Sequence, residues 1–178
     1  MNTAAGACQD QAVRQALAYG FDREAYIASY YKLDDKDAKL AYVPGLFGNP
    51  VSGENSAYVR GEEKVDGATY YDYDVEKAKQ ILDDAGWTVG SDGIREKDGQ
   101  KLSIKFLATK EKDAMDTMIP MLQKQWSELG VDFKANTMEF NTVISTVGDD
   151  SAIGDWDVSY LGNSFTSPED TGACKRVS

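Results

Sequence analysis

The apolar positions of the chain keep two rhythms, one of three to four residues and one of two, and their order predicts the elements. Between 74 and 86, Ala78, Ile81, Leu82 and Ala85 recur at helical spacing behind Asp74, a side chain suited to an N-cap. Gly86 follows as a C′ residue, and Trp87 falls at C″, where it folds back on Leu82 in a Schellman-type closure. Asp92-Gly93 and Asp98-Gly99 then bracket the segment IREK, the punctuation of a hairpin. From Lys101 to Ala108, Leu102, Ile104 and Phe106 alternate with Lys101, Ser103 and Lys105, which predicts a strand with one buried face.

The same reading extends in both directions. Asp10 caps a first helix whose inner face carries Val13, Ala16 and Leu17; Gly20 interrupts it, and Asp22 caps a second with Ala25, Tyr26, Ile27 and Tyr30. Arg14, Asp22 and Arg23 read as makers of local caps and ion pairs, and 32–39 as a solvated charged turn. Residues 41–69 hold Pro44-Gly45, Gly48-Asn49-Pro50, Ser52-Gly53 and Gly61, the breakers of a long loop, with Tyr42, Phe47 and Tyr58 expected to pack it down. Beyond the strand, Asp113 is placed to cap a long helix striped by Met115, Met118, Ile119, Leu122, Trp126 and Leu129 and ended by Gly130. Pro120 conflicts with that helix, so it is either kinked there or regular only from near Ile119. Val131, Phe133 and Ala135 predict the next strand, Phe140–Val147 a short helix, and Trp156, Val158 and Tyr160 a last strand. Strand–helix–strand–helix–strand is an α/β order, and right-handed crossovers make it one largely parallel sheet flanked by helices.

Composition narrows the function. With 178 residues and 42% hydrophobic content, the chain suits a single domain with one core, and no internal boundary is evident. Thirty acidic against 19 basic residues give a formal net charge of −11, which argues against nucleic acid and anionic membranes as partners. No apolar run is long enough to span a membrane, and Met1–Ala7 lacks the basic start and apolar core of a signal peptide. Zero histidines remove the commonest general base and, with two cysteines, the usual zinc sets. No serine lies in a GxSxG setting, no phosphate loop is present, and Asp72 and Asp74 lack the ligand spacing of a calcium loop. Asp149, Asp150, Asp155 and Asp157 read as solvated turn and strand-edge groups. The residues support neither catalysis nor a cofactor nor a metal; a small α/β hydrolase remains only as a remote alternative.

Two longer stretches carry a resemblance. YDYDVEKAKQILDDAGW, followed by DGIREKDG and KLSI, and VRQALAYGFDREAYI at Val13–Ile27 resemble the second lobe of the extracellular solute-binding proteins that serve oligopeptide ABC importers, their family 5. The resemblance covers about the whole chain. It implies a type II periplasmic-binding-protein-like lobe, non-catalytic, that captures an oligopeptide or another small solute for an ABC permease. It further implies an extracellular or periplasmic setting, membrane-anchored through a lipid outside this chain. Since such a protein is exported, the missing signal is read as the mark of a piece of a longer chain. An oligosaccharide or a metal chelate is the alternative solute.

Ligands of open α/β sheets lie beyond the carboxyl ends of the strands. In the family, an aromatic residue after the second strand and a G-W-x-A-D-Y-x-x-P segment after the third face the cleft. Phe140 takes the first position, and GNSFTSPED takes the second. Cleft-facing candidates are thus Phe140, Gly162, Asn163, Ser164, Phe165 and Thr166. Asn163 replaces the aromatic, and Thr166 falls on the aspartate associated with a bound peptide's amino terminus, so the charged contact is lost. The ends of the lobe, 1–9 and 166–178, are expected side by side near a hinge. The resemblance then makes a Cys8–Cys174 disulfide a candidate, against two unrelated buried thiols.

Overall fold

The computed structural model describes residues 1–31, 63–64 and 66–161. The chain divides into two compact units, one of Met1–Leu33 with Tyr71–Leu161 and one of Asp34–Tyr70 with Gly162–Ser178. In the second unit, the Lys64 ammonium lies 5.2 Å from the centre of the Tyr70 ring. The loop residues Tyr42, Phe47 and Tyr58, the charged run 32–39 and the last eight residues lie outside the described residues.

The first unit opens with a short 3₁₀ turn at Ala7–Gln9, then α1 (Gln11–Tyr19) and α2 (Arg23–Tyr30). Both caps stand where the sequence puts them: Asp10 accepts from the Ala12 amide at 2.9 Å, and Asp22 from the Ala25 amide at 2.9 Å. Arg14 and Arg23 donate to backbone carbonyls, of Cys8 and Gln9 and of Tyr71 respectively. Helix α3 (Val75–Asp84) is capped by Asp74 on the Lys77 amide. It closes with both Schellman bonds, Trp87 N–H to Leu82 O and Gly86 N–H to Asp83 O, each 2.9 Å, with Gly86 at φ +86°. Helix α4 (Asp113–Ser127) ends the same way, Val131 to Trp126 and Gly130 to Ser127, with Gly130 at φ +80°.

Helix α4 corrects two expectations. Its N-cap is Lys112, and Asp113 is the first helical residue, where its charge opposes the positive helix end without capping it. Pro120 lies inside one continuous helix with its ring exposed, so the helix does not begin near Ile119.

Among the described residues, six strands form two sheets. Strands β1 (Thr88–Val89), β2 (Arg95–Lys97) and β3 (Gln100–Lys101) make an antiparallel sheet in that order. Asp98 and Gly99, at φ +53° and +76°, form the two-residue turn between β2 and β3; positive φ at both positions is the type I′ hairpin geometry. Strands β4 (Ser103–Thr109), β5 (Asp132–Met138) and β6 (Val158–Ser159) form the parallel sheet, in the order β5-β4-β6. Helix α4 crosses from β4 to β5, and α5 (Phe140–Gly148) lies on the return that brings β6 to the other side of β4. Strand β4 is central. Leu102, Ile104, Phe106, Leu107 and Ala108 are all buried around it, the pattern of a strand covered on both faces. Strand β5 is an edge: Phe133 is buried, but Ala135 is exposed, contrary to the alternation read from sequence.

Two buried charged groups organise the unit. Arg95, 3% exposed, donates Nε to Leu129 O at 2.7 Å and Nη1 to Trp87 O and the Asp83 carboxylate, while its amide donates to Gly130 O. One guanidinium thus serves carbonyls just past two helix C-termini, where positive charge is favoured. Asp157 is 3% exposed, which corrects the solvated reading. Its Oδ2 accepts from the Lys105 amide at 2.8 Å, and its carbonyl accepts from the Asn2 amide at 2.7 Å. The Asn2 side chain in turn donates to Ile153 O and Trp156 O. The N-terminal residues are tied in this way to the approach of β6.

Candidate functional site

The carboxyl ends of the parallel strands gather the candidate chemistry. Strand β4 ends at Thr109 and β5 at Met138, and the Lys110 amide donates to Met138 O at 2.9 Å, tying the two ends. Glu111, at φ +57°, turns the chain out of the sheet in the left-handed region. Lys110 Nζ meets Glu139 Oε1 at 2.6 Å, and that hydrogen bond raises the Lys110 pKa. Phe140 opens α5 next to this pair and is 50% exposed; Ile144, one turn on, is also exposed, while Val143 anchors the helix in the interior. Of the residues singled out from sequence, Phe140 therefore stands solvent-facing at the expected edge. Gly162, Asn163, Ser164, Phe165 and Thr166 lie outside the described residues.

Aromatic side chains of α2 stand beside that edge. Phe21 and Tyr26 have ring centres 5.8 Å apart, Tyr26 stacks on Tyr30 at 5.8 Å and 11°, and Tyr30 meets Tyr31 edge-on at 4.9 Å. Burial first, then the neighbouring hydroxyls of Tyr160, Tyr30 and Tyr31, push the Tyr26 phenol up to about 12. Tyr160, just past β6, thus belongs to the same cluster. In sequence, Tyr26 and Tyr30 serve only to continue the second helix; none of α2 is fully buried, and Tyr31 is 60% exposed. Phe21 and Tyr26 are half-buried against the core, whereas Tyr31 turns outward.

Cys8 is buried in the 3₁₀ turn and has no disulfide partner among the described residues; burial and then the charge of Asp157 push its thiol up to about 12. Its candidate partner, Cys174, lies outside the described residues. Among the described residues no group of three or more His, Cys, Asp or Glu side chains is gathered for a metal ion, and no helix is long and apolar enough to cross a membrane.

Comparison with known proteins places this geometry in context. Residues 1–175 match the family described as bacterial extracellular solute-binding proteins, family 5 Middle. The chain is 27% identical over 160 residues to the oligopeptide-binding protein AppA of Bacillus subtilis, covering 89% of the chain and 27% of that protein. It is 30% identical over 155 residues to the oligopeptide-binding protein OppA of Lactococcus lactis subsp. cremoris, covering 85% of the chain and 24% of the relative. Among solved structures, NikA of Brucella suis in complex with Fe(III)-EDTA superposes with a TM-score of 0.73 at 28% identity, over 98% of this chain and 31% of that one. AppA in complex with a nonapeptide superposes with a TM-score of 0.67 at 25% identity, over 88% and 28%. The chain spans about a quarter of the length of the curated relatives it matches.

Proposed function

The chain belongs to the bacterial extracellular solute-binding proteins of family 5, whose fold is that of type II periplasmic binding proteins, and from that premise we propose that it is one lobe of a protein that captures solute for an ABC importer. The observation that carries this reading is the breadth of the family match, which runs through nearly every described element. The open carboxyl edge of the parallel sheet, with Phe140 facing solvent, is the surface such a lobe would offer to a ligand. Capture needs no covalent step. A second lobe closing over the ligand supplies the remaining contacts, and closure is stabilised only as far as the ligand touches both lobes.

An oligopeptide is the proposed solute, by likeness to AppA and OppA. Phe140, Gly162, Asn163, Ser164, Phe165 and Thr166 are the proposed contacts. Thr166, standing where the family has an aspartate, favours a solute without a free amino terminus; the likeness to a protein that holds Fe(III)-EDTA makes a chelate the second reading. Further proposals are an ABC permease as receiver, a lipid anchor outside this chain, and the Cys8–Cys174 disulfide joining the lobe's ends. Calorimetry on the full two-lobed protein tests the reading. Saturable binding of short peptides is expected, stronger for N-acetylated than for free-amino forms. Binding of ferric or nickel chelates with no response to any peptide would replace the first reading by the second.

A further inference from the structure

Helix α2 and the start of α4 enclose an open cavity of about 510 Å³, lined by Ser29, Tyr30, Tyr31, Asp113, Asp116 and Thr117. It lies at the carboxyl edge of the parallel sheet, where α4 follows β4 just as Phe140 follows β5. Resting on the capture reading above, we infer that this cavity takes a cationic group of the guanidinium or ammonium type, carried by a basic side chain of the captured solute.

Two independent features converge on that ligand. The Tyr30 and Tyr31 rings meet at 78° with centres 4.9 Å apart and form a two-walled aromatic corner. Tyr26, stacked behind Tyr30, holds the first wall in place. A ring face carries negative quadrupole density and attracts a cation. Asp113 and Asp116 are spaced i, i+3 and so share one face of α4, and neither joins an ion pair among the described residues. The positive helix end accounts for acids in this turn, but not for an aromatic ring left 60% exposed across from them. An anion would be repelled by the carboxylates. A neutral apolar group would strip water from them without replacing its hydrogen bonds. A planar or ammonium cation satisfies ring faces and carboxylates together, with the Ser29 and Thr117 hydroxyls as further acceptors.

The test is amide-shift NMR on the ¹⁵N-labelled chain, titrated with N-acetyl-arginine amide and with its neutral isostere N-acetyl-citrulline amide. Saturable shifts confined to Tyr30, Tyr31, Asp113, Asp116 and Thr117 are expected for arginine, with citrulline at least about tenfold weaker. The double substitution Asp113→Asn with Asp116→Asn should weaken arginine about tenfold. If that variant folds poorly, Tyr31→Ala, which removes an exposed ring, should weaken it about threefold with an unchanged spectrum elsewhere. Equal shifts from both amides, or indifference to Tyr31→Ala, would overturn the site. In the full two-lobed protein, basic peptides should then bind better than neutral ones. Equal affinity for the two would overturn the solute as source of the cation while leaving capture intact, whereas no binding of any solute would sink capture itself.

Discussion

At the scale of single residues, the chain is held by a few side chains that each serve distant backbone. Arg95 is the clearest. Replacing it by alanine leaves the carbonyls of Leu129 and Trp87 without their donor inside the fold. Arg95→Ala should lower stability by about 3 kcal/mol in urea unfolding, and Arg95→Lys should recover little, because an ammonium cannot span both carbonyls and Asp83. A loss below about 1 kcal/mol would mean that water replaces these bonds. Asp10 offers a pH-dependent counterpart. Partial burial acts to raise its pKa, but hydrogen bonds from Lys97 Nζ and Trp87 Nε1, both 3.0 Å, with that from the Ala12 amide, outweigh it and hold the pKa below the ordinary 3.8. A depressed folded-state value means stability that is complete above the unfolded pKa and is lost as pH falls through the folded one. Asp10→Asn, which keeps a capping side chain, should therefore destabilise at pH 7, with the gap to the parent closing below about pH 4. A gap unchanged between pH 7 and pH 3 would show that the charge is irrelevant. The capping role was legible because an N-cap is a local event. The bonds to Trp87 and Lys97 were not, since nothing near Asp10 in sequence announces partners 77 and 87 residues away. Asp157 and Arg95 were misread or missed for the same reason: a charge looks alike in sequence whether water or the fold surrounds it.

At the scale of elements, local punctuation proved the most legible feature. The Schellman closures of α3 and α4 and the two-residue turn at Asp98-Gly99 depend on a glycine with a fixed offset from an apolar residue, and such offsets are visible in sequence. Strand periodicity was legible only where a strand has the same surroundings along its length. In β4 it holds through Lys105, after which Phe106, Leu107 and Ala108 are all buried and the one-faced reading fails; in β5, cover stops after Phe133, and Ala135 continues the pattern in letters but not in burial. Pro120 misled because propensity counts the lost hydrogen bond without the packing that retains the helix around it, Met118 and Leu122 both being buried. The two helix-ending glycines separate backbone strain from crowding. A Cβ at Gly86 meets nothing within 4 Å, whereas one at Gly130 would lie 2.9 Å from Arg95 Cγ and 3.1 Å from Gly93 O. Both sit at positive φ. Gly86→Ala should cost about 1 kcal/mol from backbone strain alone. Gly130→Ala should cost at least about 1 kcal/mol more, since the hairpin backbone and the buried Arg95 must both shift. Equal losses by chemical denaturation would mean that the β2 segment yields freely.

At the scale of the molecule, the fold class was legible because the alternation of the two periods along the chain already dictates strand–helix–strand order. The sheet order β5-β4-β6, with the last strand beside the first of the three, was not, because crossover rules fix handedness but not which neighbour a returning strand takes. At the candidate edge, the place of Phe140 after β5 was legible in sequence, while the exposure of Tyr31 was not. Under the proposed capture reading, this geometry also sets what the chain does alone. An open edge buries only one side of a ligand, whereas small-molecule sites with strong affinity enclose most of the ligand surface. Half the contacts must still offset the ligand's lost translational and rotational freedom, so affinity falls by far more than half in the exponent's consequence. The isolated chain should therefore bind short peptides at least about a hundredfold more weakly than the two-lobed protein, in the range of millimolar constants by calorimetry or amide shifts. A micromolar constant for the chain by itself would mean that the pocket is complete within these residues, and capture by closure of two lobes would then be the wrong account of how it works.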